Sequence, residues 1–179
     1  MTNEEKKQLW EKVAAFHGHV CPGLTIGYMA ALYAIELLEL TFSDDEQVVC
    51  ISENDACCVD AIQVMLGCSI GKGNLLFHMT GKMAFSFYNR MNGKSVRLVK
   101  KPGPDGLSKA EELERLHQLS LEEAFDVMPV KMNVPERARI FNSYPCDACG
   151  ERTAENYIRL SGDKKLCPDC IRTYDRFRV

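Results

Sequence analysis

Residues 3–16 set Leu9, Trp10, Val13 and Phe16 on one stripe among charged neighbours, the spacing of a helix with one buried face. Thr2 or Asn3 can cap it, and Glu4 and Glu5 suit the positive end of its dipole. Gly18 and Pro22-Gly23 then interrupt the register. From Leu24 to Leu40 the chain is apolar almost all round, which predicts a central buried helix. Its small residues Gly27, Ala30 and Ala31 allow a neighbouring element to come close. "QVVCIS" (47–52) is short and β-branched, as a buried strand is, and "CVDAIQVMLG" (58–67) returns to helical spacing before a glycine suited to a C-cap.

"SIGKGN" is a loop, and "NLLFHMT", "KMAFSFYN" and "SVRLVKK" follow as three strands with turns at Thr80-Gly81 and Asn92-Gly93. "PGPDG" is a linker, and 108–118 is a polar helix that can run on through "SLEEAF". This order predicts an α+β fold, a mixed β-sheet flanked by helices, with a small C-terminal four-cysteine zinc-finger domain. The expected boundaries are 1–135 for the core and 140–179 for the finger.

Composition adds little until charge and cysteine are placed. At 46% apolar and 26% charged residues, the 179-residue chain has material for an ordinary core. Residues 1–130 carry 12 Lys/Arg against 18 Asp/Glu, whereas 131–179 carry 10 against 7, so a slightly basic tail follows an acidic body. That imbalance is too mild to imply nucleic-acid binding. The charged opening "MTNEEKKQLWEKVAAF" is no secretory signal, and the apolar run from Leu24 to Ile35 is far short of a membrane span. The expected location is the cytoplasm, where nine cysteines are better read as metal ligands or reactive thiols than as disulfides.

"CDAC" (146–149) and "CPDC" (167–170), with seventeen residues between them, carry the clearest chemistry. Each C-x-x-C turns two sulfurs toward one ion, and two such pairs complete a tetrahedral four-thiolate shell around zinc. A segment of about 35 residues cannot bury enough surface to fold alone, so the metal at Cys146, Cys149, Cys167 and Cys170 supplies stability. A closed shell makes this module structural or an interaction surface. Two redox pairs are the alternative, but no room exists for the βαβ domain that such a pair opens.

The second cluster is "HGHVC". In an extended segment His17, His19 and Cys21 would face one side, spaced about 7 Å per step. Further ligands stand in "ENDACCVDAIQ", where Cys57 and Cys58 open a helix whose dipole favours thiolate, and Cys57 and Asp60 share a face. Cys68 is about 16 Å from Cys57 along a continuous helix and cannot join the same ion. Cys50 reads as a small buried hydrophobe, and His78 and His117 as structural or exposed. "GCSIGKGN" is no P-loop; it suits close packing better than phosphate. Individually these residues could equally fill core volume or satisfy backbone groups; as a set they point to a metal or thiol site.

"FHGHVCPGLTIGYMAA", the C-x-x-D-A-I-Q at 57–63 and "GCSIGKGNL" together resemble the FmdE family, named for the FmdE component of molybdenum/tungsten formylmethanofuran dehydrogenase. The tail "CDACGE…GDKKLCPDC" is similar to the treble-clef or zinc-ribbon finger of many members. The resemblance implies an α+β core with a metal-binding candidate active site at His17, His19, Cys21, Cys57 and Asp60, with Cys68 in the following loop motif. It also implies one-carbon metabolism in anaerobes. Molybdopterin and iron–sulfur centres belong to other subunits of that enzyme, so this chain alone is not expected to oxidise formylmethanofuran. Cys58, next to the family cysteine, is a departure that leaves the choice of ligand open.

Two readings follow. In the first, an FmdE-like accessory component acts with the catalytic subunits of a molybdenum or tungsten enzyme. Its core ion, zinc by preference, is held by His19, Cys21 and Cys57, with His17 as fourth ligand or supporting group and Asp60 orienting a ligand or moving a proton. In the second, a stand-alone hydrolase, transferase or thiol oxidoreductase uses Cys57 as nucleophile and His19 as its base. Homodimerisation is compatible with the apolar content; membrane and nucleic-acid partners are not expected.

Overall fold

The computed structural model describes residues 1–172 and 176, which form two compact units, Met1–Ala138 and Arg139–Val179. In the first unit, α1 (Asn3–His17) begins at a capping box between Thr2 and Glu5 and ends at Gly18, whose left-handed φ of 86° turns the chain. α2 (Pro22–Leu38) starts from Cys21 with proline in its first turn, and α3 (Cys58–Leu66) ends at left-handed Gly67. The C-terminal helices are α4 (Lys109–Gln118) and the single turn α5 (Leu121–Ala124). The expected continuous helix through "SLEEAF" is therefore broken. Ser120 caps α5 through its own box with Glu123, and Phe125 passes directly into a strand.

The sheet has the order β2-β1-β3-β4-β5, built from β1 (Val48–Ser52), β2 (Leu75–Phe77), β3 (Ala84–Asn89), β4 (Ser95–Lys100) and β5 (Phe125–Met128). Only β1 and β2 run parallel, joined by the crossover through α3; the other pairs are antiparallel. Phe85, Phe87 and Leu98 belong to one buried cluster with residues of the helices. On the opposite face Val49, Ile51 and Tyr88 are covered by Val130 and Met132, and Tyr88 donates its hydroxyl to the Met132 carbonyl. Burial on both faces explains why neither β1 nor β3 alternates between apolar and charged positions.

α2 is the hub, packed on α3, α4 and the sheet. Gly27 permits this: a Cβ there would lie 2.1 Å from the Cys58 carbonyl oxygen and 2.6 Å from its Cα. The two helices thus touch backbone to backbone at the first turn of α3, next to Cys57. The loop after α3 is also structural: Asn74, fully buried, donates to the carbonyls of Asp45 and Val48, and Lys72 donates to the Ser43 carbonyl. None of the described helices is long and apolar enough to cross a membrane.

The second unit contains two hairpins, β6 (Ser143–Pro145) with β7 (Arg152–Ala154) and β8 (Arg159–Ser161) with β9 (Lys164–Leu166). Its buried cluster consists of Cys146, Leu166 and Cys167. The end of the finger expected at 140–179 includes residues 173–175 and 177–179, which lie outside the described residues.

Candidate metal centre

Three helix ends converge in the first unit. His17 is the last residue of α1, Cys21 caps α2, and Cys57 precedes α3. The segment "HGHVC" is therefore not extended, as its alternation suggested. Gly18 reverses the chain, so that residues four apart meet across a turn between helices. One ligand atom each from His17, Cys21 and Cys57 lies within 4.8 Å of the others. His17 Nε2 is 3.9 Å from Cys21 Sγ, and its other ring nitrogen, Nδ1, is 2.7 Å from Asp60 Oδ2. A carboxylate in this position favours the neutral tautomer protonated on Nδ1, whose Nε2 lone pair faces Cys21 Sγ. Gln63 steadies the second carboxylate oxygen at 3.5 Å.

The sulfurs sit at helix N-termini, where backbone N–H groups favour negative charge. Leu24 N–H donates to Cys21 Sγ at 3.4 Å. Against the dipole expectation, however, the Cys57 thiol is held above its ordinary value, chiefly by burial and then by the adjoining Cys21 thiol. Two thiols this close resist ionising together unless a cation joins them. Gly23 keeps the approach tight: a Cβ there would meet Cys57 Cβ at 3.3 Å and both sulfurs at 3.9 Å.

His19 is not brought into this group. It is exposed, with its ring 4.5 Å from the His17 ring, centroid to centroid, and tilted by 38°. Cys58 points away, its buried thiol donating to Asn54 Oδ1 at 3.0 Å, and burial pushes it up to about 12. Adjacent positions on a helix face different sides, so Cys57 and not Cys58 stands in the cluster with His17 and Cys21. Cys68 and Cys50 are fully buried core residues, and burial pushes Cys68 up to about 12 as well. Asn54 has no sequence signature, yet it holds the turn before α3. Its Oδ1 accepts from Ala56 N–H and the Cys58 thiol, and its amide donates to the Lys82 carbonyl.

In the second unit, ligand atoms of Cys146, Cys149, Cys167 and Cys170 lie within 4.8 Å of one another. Backbone N–H groups aimed at Cys146 lower its thiol to about 6, Cys167 N–H among them at 3.3 Å. Cys170 is pushed up to about 12 by the neighbouring sulfurs. Such a spread is what four crowded sulfurs without a counter-charge require, and a divalent cation removes it.

The family model described as "FmdE, Molybdenum formylmethanofuran dehydrogenase operon" matches residues 16–133, about two thirds of the chain. The chain belongs to the FmdE family. The match takes in His17, Cys21, Cys57 and Asp60 and stops before the four-cysteine module. The crystal structure of a tungsten formylmethanofuran dehydrogenase FmdE-like protein from Syntrophus aciditrophicus superposes with a TM-score of 0.68 at 25% identity. The superposition covers 92% of this chain and 91% of that one. A curated protein of Archaeoglobus fulgidus, described as a probable S-adenosyl-L-methionine-binding protein, is 28% identical over 191 aligned residues. The match covers 89% of this chain and 51% of that relative, so the chain spans about half its length. Fold and family together make this an FmdE-like protein.

Proposed function

We propose that this FmdE-family chain is a metal-binding accessory component of a molybdenum- or tungsten-dependent one-carbon enzyme system, with one ion held by His17, Cys21 and Cys57. The observation that carries this reading is the pairing of the three-ligand cluster with the Asp60–His17 contact at 2.7 Å. Carboxylate-oriented imidazole is the usual support of a metal-binding histidine. Two thiolates and one imidazole favour zinc among the common divalent ions. A zinc ion with three protein ligands supplies Lewis-acid chemistry at its remaining position. Within the chain, Asp60 holds the Nδ1 proton, the α2 N-terminus stabilises negative charge on Cys21, and Gly23 leaves room over both sulfurs. The four-cysteine module takes a structural zinc.

The stand-alone thiol reading required a lowered Cys57 pKa and His19 as base. Cys57 is instead raised, and His19 stands outside the cluster, so the metal reading is preferred. The test is metal stoichiometry on anaerobically purified protein, comparing wild type with Cys57→Ala and Cys149→Ala. Two ions per chain, one lost in each variant, is the expected result. Two ions retained in Cys57→Ala would remove the core centre. The enzyme association is tested separately, by co-purification with molybdenum- or tungsten-containing subunits from an organism that carries both.

A further inference from the structure

Away from the metal centre, three aromatic rings from three helices meet. Trp10 of α1 packs edge-on against Tyr28 of α2, with centroids 5.1 Å apart and planes at 71°. It stands perpendicular to His117 of α4 at 6.5 Å. These rings border a cavity of about 310 Å³, within the size range of small-molecule sites. Much of the remaining lining is apolar, Leu32 and Leu116 included, and it contains Lys6 and Lys7 but no carboxylate.

The polar groups in the lining are unequal in what they can offer. Tyr28 spends its hydroxyl proton on the Lys6 carbonyl at 2.7 Å, and Thr25 donates to the Cys21 carbonyl at 3.1 Å. Lys6 Nζ lies 3.5 Å from Glu36 in a pair open to solvent, which commits it weakly. Lys7 is exposed, and among the described residues it has no ion-pair partner. Flat apolar surface thus adjoins two cationic donors, Lys6 paired only at the solvent edge with Glu36 and Lys7 with no ion-pair partner among the described residues.

We infer that this cleft binds a small amphipathic anion, whose apolar or aromatic body lies against Trp10, Tyr28 and His117 and whose single acidic group is neutralised by Lys7 and Lys6. Aromatic faces supply contact area at little entropic cost, and the lysines select charge. Trp10 precedes His17 on α1 by two helical turns, about 10 Å along the axis. The cleft therefore shares none of the metal ligands, and its occupancy does not depend on the metal reading.

Trp10 is the single tryptophan, so its emission reports on the cleft directly. The full-length protein is titrated with 8-anilinonaphthalene-1-sulfonate and with its uncharged counterpart N-phenyl-1-naphthylamine, following quenching of Trp10. One sulfonate per chain is expected, with the uncharged probe about tenfold weaker. Lys7→Glu should weaken the sulfonate about tenfold while sparing the uncharged probe. Lys12→Glu, on the same helix but outside the cleft lining, should change neither. Binding without Trp10 quenching, equal affinity for the two probes, or equal losses in both variants would overturn the inference. So would probe uptake that falls as the protein self-associates with a matching Trp10 shift, which would assign the cleft to a second copy of the chain.

Discussion

Replacing Asp60 by asparagine isolates the one contact that distinguishes a prepared metal ligand from an ordinary histidine. Asp60 Oδ2 sits 2.7 Å from His17 Nδ1, a contact that in the neutral imidazole selects the tautomer with its lone pair on Nε2, on the side of Cys21 Sγ. Asparagine keeps the shape but loses the charge. If its oxygen faces the ring, the hydrogen bond survives as a weaker neutral one. If its NH2 faces the ring, Nδ1 must accept, the proton moves to Nε2, and the ligand lone pair is lost. Loss of such a supporting carboxylate costs about 10–100-fold in metal affinity, or about 1.4–2.7 kcal/mol. The Asp60 side chain is 34% exposed, so the apo fold should lose less than about 1 kcal/mol. Competition against a chromophoric zinc chelator, anaerobically, resolves the weaker of the two expected zinc phases. Thermal melts of the metal-free protein check the fold. An affinity within twofold of wild type would refute the orienting role, and a matching loss of apo stability would make Asp60 merely structural.

Gly27→Ala should destabilise the first unit by more than about 3 kcal/mol, because its Cβ would overlap the backbone of Cys58 and nothing flexible can yield. Urea unfolding measures this, and a loss under about 1 kcal/mol would contradict the helix contact. Cys58 and Cys68 are raised to about 12 from an ordinary 9.0, so the folded state favours their protonated forms. Stability should hold below pH 9 and fall as the pH rises from 9 towards 12, by up to about 1.4 kcal/mol per pH unit for each thiol. Cys68→Ala should flatten that slope between pH 9 and 11, and an unchanged slope would remove Cys68 from the account. Chelating the metal proposed for the four cysteines should abolish amide-exchange protection in residues 139–172 and spare Met1–Ala138, since among the described residues the second unit buries little besides Cys146, Leu166 and Cys167. Protection persisting there in metal-free protein would refute a metal-dependent fold.

Local pattern was enough for most of the elements. Capping residues, breakers and apolar stripes are properties of neighbouring positions, so α1, α2, α3 and the strands at 48–52, 84–89 and 95–100 lie close to where the spacing puts them. The four-cysteine cluster was equally legible, because each C-x-x-C carries its own geometry. α5 and β5 were not. The Ser120 capping box was in the sequence but competed with an apparent helical continuation, and β5 exists because the edge of β4 accepts it. The ligand set of the first unit was readable as residue types and not as an arrangement. An alternation of His17, His19 and Cys21 suits an extended segment, but left-handed Gly18 folds it into a turn between helices that leaves His19 outside. The meeting of His17 with Asp60, 43 residues apart, depends on α1 packing against α3, and the placing of Cys57 depends on the close approach that Gly27 permits. Sequence by itself determined the elements and the donor chemistry; only the tertiary structure decided which donors share a point in space, because that choice is made by helix packing between residues that no local rule connects.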